Sequence, residues 1–398
     1  MKTINTTYKF DKIKLVLVLA FMSAIAPLSI DMYLPALTQI REIFETDEFY
    51  MQLSLAVFFI AFSFGQLIYG PLSDIYGRKK PLYFGITIFV ISSFACAMVD
   101  SVYAFIFFRF TQALGGSAGI VIARAVINDK FELNEAASMF AIMMVVASLA
   151  PMLAPTFGSL ILHFVSWRII FIMLFSLGVM LLFMIYFWLK DSSRVGKKDE
   201  LSFKKMAITY IEILKNRKFI VYALSLAMPM SAMFAYITGS SFVFVEYFGL
   251  STYKYGIIFG LNALGVTLVS AINSKLVLKH SPENFLKIGL FLASFFVIIL
   301  IALGYFKVEF LYFEIMLFLT LATLGFIIPN ATSLAMSCYK ERSAGAASAV
   351  LGAMQFAFAG GASFSVGFLK ANNPLFLSIV MGSSTFIALL IYIKGFKE

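Results

Sequence analysis

Runs of about twenty or more mostly apolar positions alternate along this chain with short polar segments. The apolar runs fall at 13–37, 50–70, 81–99, 101–123, 136–162, 168–189, 219–245, 255–278, 285–305, 310–336, 344–369 and 374–393. A helix rises 1.5 Å per residue, so about 20 residues cross a hydrocarbon layer of about 30 Å. The pattern therefore predicts twelve membrane-spanning helices. The alternating ten-residue segments of a membrane β-barrel are absent. One connection is longer than the others: residues 190–218 are polar at first, and 201–214 (LSFKKMAITYIEIL) has the spacing of an amphipathic helix lying on a membrane surface. This linker divides the chain into a six-helix bundle over 1–189 and a second over 219–398.

Composition agrees with a lipid solvent. Charged residues make up 13% of the chain, hydrophobic residues 61%, and mean hydropathy is +0.93. Soluble domains carry roughly 25% charged residues. The formal charge of +10 does not point to nucleic acid, because the basic residues are confined to the short segments between spans. Their distribution instead orients the chain. Of 31 Lys and Arg, 25 lie on the side of the termini and five (Arg41, Arg168, Lys254, Lys307 and Lys370) on the other, while Arg109 is left inside a helix. That bias predicts both termini in the cytoplasm. The first apolar run, preceded by lysines at 2, 9, 12 and 14, is too long for a signal-peptide core and is expected to be retained as helix 1.

Charges inside the spans are few, and each costs at least about 2.5–3.5 kcal/mol to insert. Asp31 lies about six residues, or roughly 9 Å, from the outer end of helix 1, and Arg109 about eight residues, or roughly 12 Å, from the outer start of helix 4. Their similar depth allows them to approach each other if both face one cavity. A static ion pair is one reading. The other is that Asp31 exchanges a proton while Arg109, which stays charged, tunes it. Glu246 and Glu314 read as interfacial, and Arg124 and Asp129 as serving the cytoplasmic face. Tyr33, Gln112, Tyr236, Asn262, Asn330 and Gln355 are the polar candidates for lining a substrate cavity, although intramembrane Asn and Gln also join helices.

Other features carry less. Cys96 and Cys338 are far apart, and the two histidines, His163 and His280, read as interfacial loop residues, so neither a disulfide framework nor a metal site is expected. Gly115-Gly116-Ser117-Ala118-Gly119 matches G-x-S-x-G but sits mid-helix, where it reads as a packing face and not a nucleophile elbow. No phosphate-binding P-loop is present. An intramembrane enzyme would need a nucleophile and base, and a channel would need rings of like charge or carbonyl loops; neither is found.

Residues 70–80 read Gly70-Pro71-Leu72-Ser73-Asp74-Ile75-Tyr76-Gly77-Arg78-Lys79-Lys80, between helices 2 and 3. This resembles the loop signature of the major facilitator superfamily, and Arg109-Phe-Thr-Gln112-Ala-Leu-Gly115-Gly116 is similar to its second motif. Asp31-Met32-Tyr33-Leu34-Pro35-Ala36, Ala150-Pro151-Met-Leu-Ala154-Pro155-Thr-Phe-Gly158, Trp167-Arg168, Pro329-Asn330-Ala331 and Gly345-Ala-Ala-Ser348-Ala resemble the bicyclomycin/chloramphenicol-resistance (Bcr/CflA) group of drug–proton antiporters. In helix 5, Ala154 and Ser159 stand where the broader antiporter motif has glycines.

The resemblance implies an all-α integral membrane protein of two pseudo-repeated six-helix bundles and no enzymatic activity. It implies efflux of small amphipathic, drug-like solutes or metabolites in exchange for protons, by alternating access, without cofactor or metal. Asp31 and Arg109 would couple the proton. Gly70, Asp74, Gly77, Arg78 and Lys79 would form the conformational-switch loop, with Asp74 docking at the start of helix 11 near Ser343. Pro151, Pro155 and Gly158 would form the helix 5 motif. The expected setting is the bacterial inner membrane, as a monomer, with lipid, protons and substrate as partners and no nucleic acid. Proton-coupled import of a nutrient on the same fold is the alternative.

Overall fold

A computed structural model of the chain describes residues 2–130, 153–189, 203–277, 279–339, 344–370 and 373–395. Among these residues there is no strand. The elements are α1 (Lys2–Asp31), a 3-10 turn (Leu34–Ala36) leading into α2 (Leu37–Ile43), α3 (Glu48–Tyr76), α4 (Lys79–Met98), α5 (Val102–Lys130), α6 (Leu153–Phe164) and α7 (Arg168–Trp188). There follow α8 (Phe203–Lys215), α9 (Arg217–Ser241) with a π-helical continuation over Phe242–Tyr247, α10 (Thr252–Leu276), α11 (Pro282–Tyr305), α12 (Phe310–Ala322), α13 (Leu324–Ser337), α14 (Ala344–Phe368) and α15 (Pro374–Gly395). Among the described residues, eleven helical segments are long and apolar enough to cross a membrane. The shorter α6 is the described part of the run at 136–162.

Two predicted spans are broken where their sequence makes a break cheap. The first run is helical only to Asp31, because Pro35 has no N–H to donate and disfavours helix at the residue before it. Asp31 is thus the last residue of α1, at a point where the chain turns. The run at 310–336 divides at Thr323 into α12 and α13. Pro329, inside α13, cannot donate to the carbonyl of Gly325, which accepts instead from Ser270 Oγ on α10 at 3.4 Å.

Small residues set the helix spacing. A Cβ on Gly115 of α5 would come within 2.5 Å of the Gly85 carbonyl on α4, and one on Gly119 within 2.6 Å of the Met22 carbonyl on α1. The run 115–119 is therefore a packing face, as its mid-helix position implied. The halves meet chiefly along α3 and α14, where Ser63 Oγ donates to the Ala353 carbonyl at 2.7 Å. Phe59 packs on Phe234 at 4.5 Å between centroids, and Phe62 on Phe356 at 4.6 Å. Large apolar side chains such as Phe84, Phe107, Phe183, Phe187 and Phe295 point outward, as a lipid-facing surface requires.

Candidate functional site

Arg109 lies at the centre of the N-terminal half and is fully buried. Its Nη1 donates to the carbonyl of Ser29 at 3.0 Å and to Oε1 of Gln112, one turn along α5, at 2.5 Å. Gln112 Nε2 in turn donates to Ser93 Oγ on α4 at 2.8 Å. The guanidinium carbon lies 4.3 Å from the ring centroid of Tyr33 and 4.2 Å from that of Phe58. Away from water such a cation–π contact is worth about 2 kcal/mol. Two rings thus supply much of what a carboxylate would otherwise supply. The Tyr33 hydroxyl bonds Ser54 Oγ at 3.0 Å, which fixes that ring.

Asp31 is 3% exposed, and its Oδ1 is buried without a hydrogen-bond partner. It makes no ion pair with Arg109. Arg109 meets α1 through the Ser29 carbonyl and not through the carboxyl group two residues further on. The Asp31 carboxyl instead lies within electrostatic reach of Tyr236 and Tyr255 in the C-terminal half. Gly158 of α6 packs so tightly on the Met32 carbonyl that any Cβ would collide with it. Equal depth therefore did not translate into contact.

The C-terminal half presents a different cluster. Asn262 on α10 donates from Nδ2 to the Tyr236 hydroxyl on α9 at 3.1 Å, and Tyr236 stacks on Phe259 at 5.3 Å. Tyr255 and Ser240 share a hydrogen bond of 3.1 Å. Glu314 of α12 joins this group: its side chain is within hydrogen-bonding reach of Asn262, and its Oε2 is buried without a partner. The interfacial reading of Glu314 is thereby corrected. Position along an apolar run measured its depth but could not show that Asn262 and Tyr236 enclose it.

The remaining candidates fall in separate places. Asn330 on α13 donates to Asn273 Oδ1 on α10 at 2.8 Å and joins those two helices. Gln355 is half-buried on α14. Pro155 lies beside Gly256 of α10, and Thr156 Oγ1 and Ser159 Oγ donate to the Gly256 and Thr252 carbonyls at 3.2 and 3.0 Å. Pro151, Ser343 and the Asp74 side chain lie outside the described residues. In the 70–80 segment, Arg78 Nε donates to Asp129 Oδ2 on α5 at 2.7 Å, and Lys79 Nζ to the Tyr186 carbonyl on α7 at 3.2 Å. Gly77 holds φ +81, a conformation that disfavours side-chain-bearing residues. Gly70 is less constrained, since a Cβ there would meet only Val121, at 4.0 Å.

Sequence reasoning missed one ion pair between the halves. At the end of the bundle away from the chain termini, Arg41 on α2 donates to Glu246 at 2.8 Å and to Glu48 at 3.3 Å. The excess of acids beside Arg41 was a signal, but partners 205 positions apart are not visible in a single sequence.

The profile of the Major Facilitator Superfamily matches residues 19–365. The chain is 31% identical over 392 residues to an uncharacterized MFS-type transporter, YdgK, of Bacillus subtilis (strain 168), covering 97% of each chain. It is 26% identical to a bicyclomycin resistance protein homolog of Haemophilus influenzae, covering 95% of this chain and 94% of the relative. A chloramphenicol resistance protein of Pseudomonas aeruginosa is 25% identical over 73% of this chain and 68% of its own. Among solved structures, a D-xylose–proton symporter superposes with a TM-score of 0.78 at 14% identity over 97% of both chains, a likeness of fold alone. Twelve apolar segments, a buried arginine beside a broken first helix and this whole-length match lead to one conclusion: the chain is a multi-pass membrane transporter belonging to the major facilitator superfamily.

Proposed function

We propose that this transporter is an antiporter that expels small drug-like or metabolic solutes in exchange for protons, with Asp31 as the proton-exchanging group. The observation that carries this reading is the Asp31 carboxyl itself: buried at a break in α1, free of Arg109, and directed at the opposite half. A carboxyl group in that position is neutral when protonated and costly to enclose when ionised. Its proton state can therefore bias which packing of the two halves is stable. Arg109, clamped by Ser29, Gln112 and two rings, is a fixed charge that keeps the N-terminal half positive near the site. Homologues named for bicyclomycin and chloramphenicol resistance support drug-like cargo. The excess of basic residues near the termini supports an inner-membrane orientation with both ends in the cytoplasm. The distal contacts among Arg41, Glu246, α6 and α10 then close the outer side. The pH gradient is the energy source, and one copy of the chain contains all the groups the cycle uses.

The test is transport in liposomes of purified protein with chloramphenicol or bicyclomycin under an imposed pH gradient. An acidic interior should drive solute inward against its gradient, and Asp31→Asn should reduce this to the rate of empty liposomes while solute binding persists. Solute moving with the protons would identify an importer, and full pH-driven transport by Asp31→Asn would remove Asp31 from the coupling.

A further inference from the structure

Three buried acceptor oxygens in the neighbourhood of Tyr236 lack a donor. Asp31 Oδ1 approaches from the N-terminal half, and Glu314 Oε2 and Asn262 Oδ1 from the C-terminal half. Unsatisfied buried polar atoms are few in native proteins, and each costs about 1–3 kcal/mol. Asn262 donates to Tyr236 and lies within hydrogen-bonding reach of Glu314, yet its own Oδ1 and Glu314 Oε2 both lack a donor. A proton on the Glu314 carboxyl converts it from an acceptor to a donor and gives this pair the hydrogen it lacks. The groups beside Glu314 are Asn262 on α10 and Tyr236 on α9, and Tyr236 is in turn within electrostatic reach of Asp31 on α1. Among the described residues no basic side chain contributes to its electrostatic environment. Among the described residues, none therefore serves as a counter-ion that would hold Glu314 permanently ionised.

We propose that Glu314 is a second proton-binding residue of the transport cycle, held by Asn262 in the C-terminal half and coupled to Asp31 through Tyr236. The inference rests on the antiport reading and extends it: each half carries one titrating acid, and a cycle moves two protons. Each proton is taken from water on the side where the site is open and released to water on the other, with no bond other than O–H made or broken. With both acids protonated the centre is neutral apart from Arg109, and the halves can close over it. With both ionised, two negative charges near one tyrosine repel each other and favour separation of the halves.

Infrared difference spectroscopy of the purified protein during a pH titration tests this without a transported solute. Above the range of about pH 4–5 in which water-exposed carboxyl groups ionise, the remaining C=O stretch of protonated carboxylic acids should disappear in two components as pH rises. Glu314→Gln should remove one component, about half of the titrating amplitude, and leave the other titrating as a single group. Asn262→Leu, which removes the hydrogen-bonding partner, should move the Glu314 component to higher frequency and serves if Glu314→Gln does not fold. A titration unchanged by Glu314→Gln overturns the proposal, as does a Glu314 component that persists at every pH, which would make the proton a fixed structural hydrogen. Loss of the Glu314 component alone, with none sensitive to Asp31→Asn, would keep Glu314 as a proton-binding residue but sink the Asp31 reading and, with it, the two-proton cycle.

Discussion

The two halves carry opposite chemistry at their centres. In the N-terminal half, Arg109 is held through Nη1 by the Ser29 carbonyl and by Gln112, itself braced by Ser93, while Nε and Nη2 have no hydrogen-bond partner and the guanidinium lies against the rings of Tyr33 and Phe58. In the C-terminal half, Glu314 sits among acceptors that want a hydrogen. Asp31 belongs to the first half by sequence and to the second by direction. Intramembrane charges of similar depth therefore need not do similar work: the arginine is a fixed donor, while a carboxyl group switches between acceptor and donor as it loses or gains a proton.

The comparison is broken most severely by opening the cage. Arg109→Lys keeps the charge but loses the planar guanidinium whose Nη1 reaches Ser29 and Gln112 and whose carbon lies within 4.3 Å of two ring centroids. The bonding partners left buried cost about 1–3 kcal/mol each. Thermal unfolding in detergent should show a clear fall in midpoint, and transport should fall more than tenfold even at saturating pH gradient. If Arg109→Lys behaves as the native protein, the ring cage is not holding the arginine.

A second substitution separates the halves' chemistry from their packing. Gly158→Ala places a methyl group against the Met32 carbonyl, immediately after Asp31, without altering any charge. Overpacking of this kind typically costs about 1–3 kcal/mol. It should displace α6 from the end of α1 and lower the unfolding midpoint less than Arg109→Lys does, while both carboxylic-acid bands persist in the infrared titration. Loss of the Asp31 band in Gly158→Ala would mean that the acid's proton depends on helix spacing and not on its own surroundings.

Much of this organisation was legible in the sequence, and the illegible part has a common cause. The twelve apolar runs, the central linker and the rarity of Asp31 and Arg109 follow from local composition, because lipid penalises each exposed polar group separately. Gly77 was marked by the loop signature, and its positive φ explains why glycine stands there. What stayed hidden were directions and partners. The depth of Asp31 and Arg109 was readable, but that Arg109 would take the Ser29 carbonyl and not the Asp31 carboxyl is settled only once α1 is docked on α5. Tyr236 and Asn262 were picked as isolated polar residues, whereas their place around Glu314 needs α9, α10 and α12 packed together. Asn330 shows the converse, a polar residue in a span whose partner Asn273 makes it a joint between helices.

The mildest perturbation acts where the halves touch at the distal end. Arg41 and Glu246 come from different halves and are each about a quarter exposed, with side-chain exposures of 24% and 28%. Such partly solvated pairs contribute about 0–1 kcal/mol. That is too little to unfold anything, yet the pair exists only while the distal end is closed, so its whole contribution falls on one side of the conformational equilibrium. Glu246→Gln keeps the shape and removes the charge, and 1 kcal/mol corresponds to a shift of roughly fivefold toward the distally open form. Arg41 retains Glu48 at 3.3 Å, which lies in its own half and does not resist opening. Distance measurements between spin labels at the distal ends of α3 and α10 should show the open population rising several-fold, and the rise should shrink in high salt, which weakens the native pair itself. An unchanged distribution would mean that closure depends on the backbone contacts of Thr156 and Ser159 with α10, which neither salt nor the charge at 246 can reach.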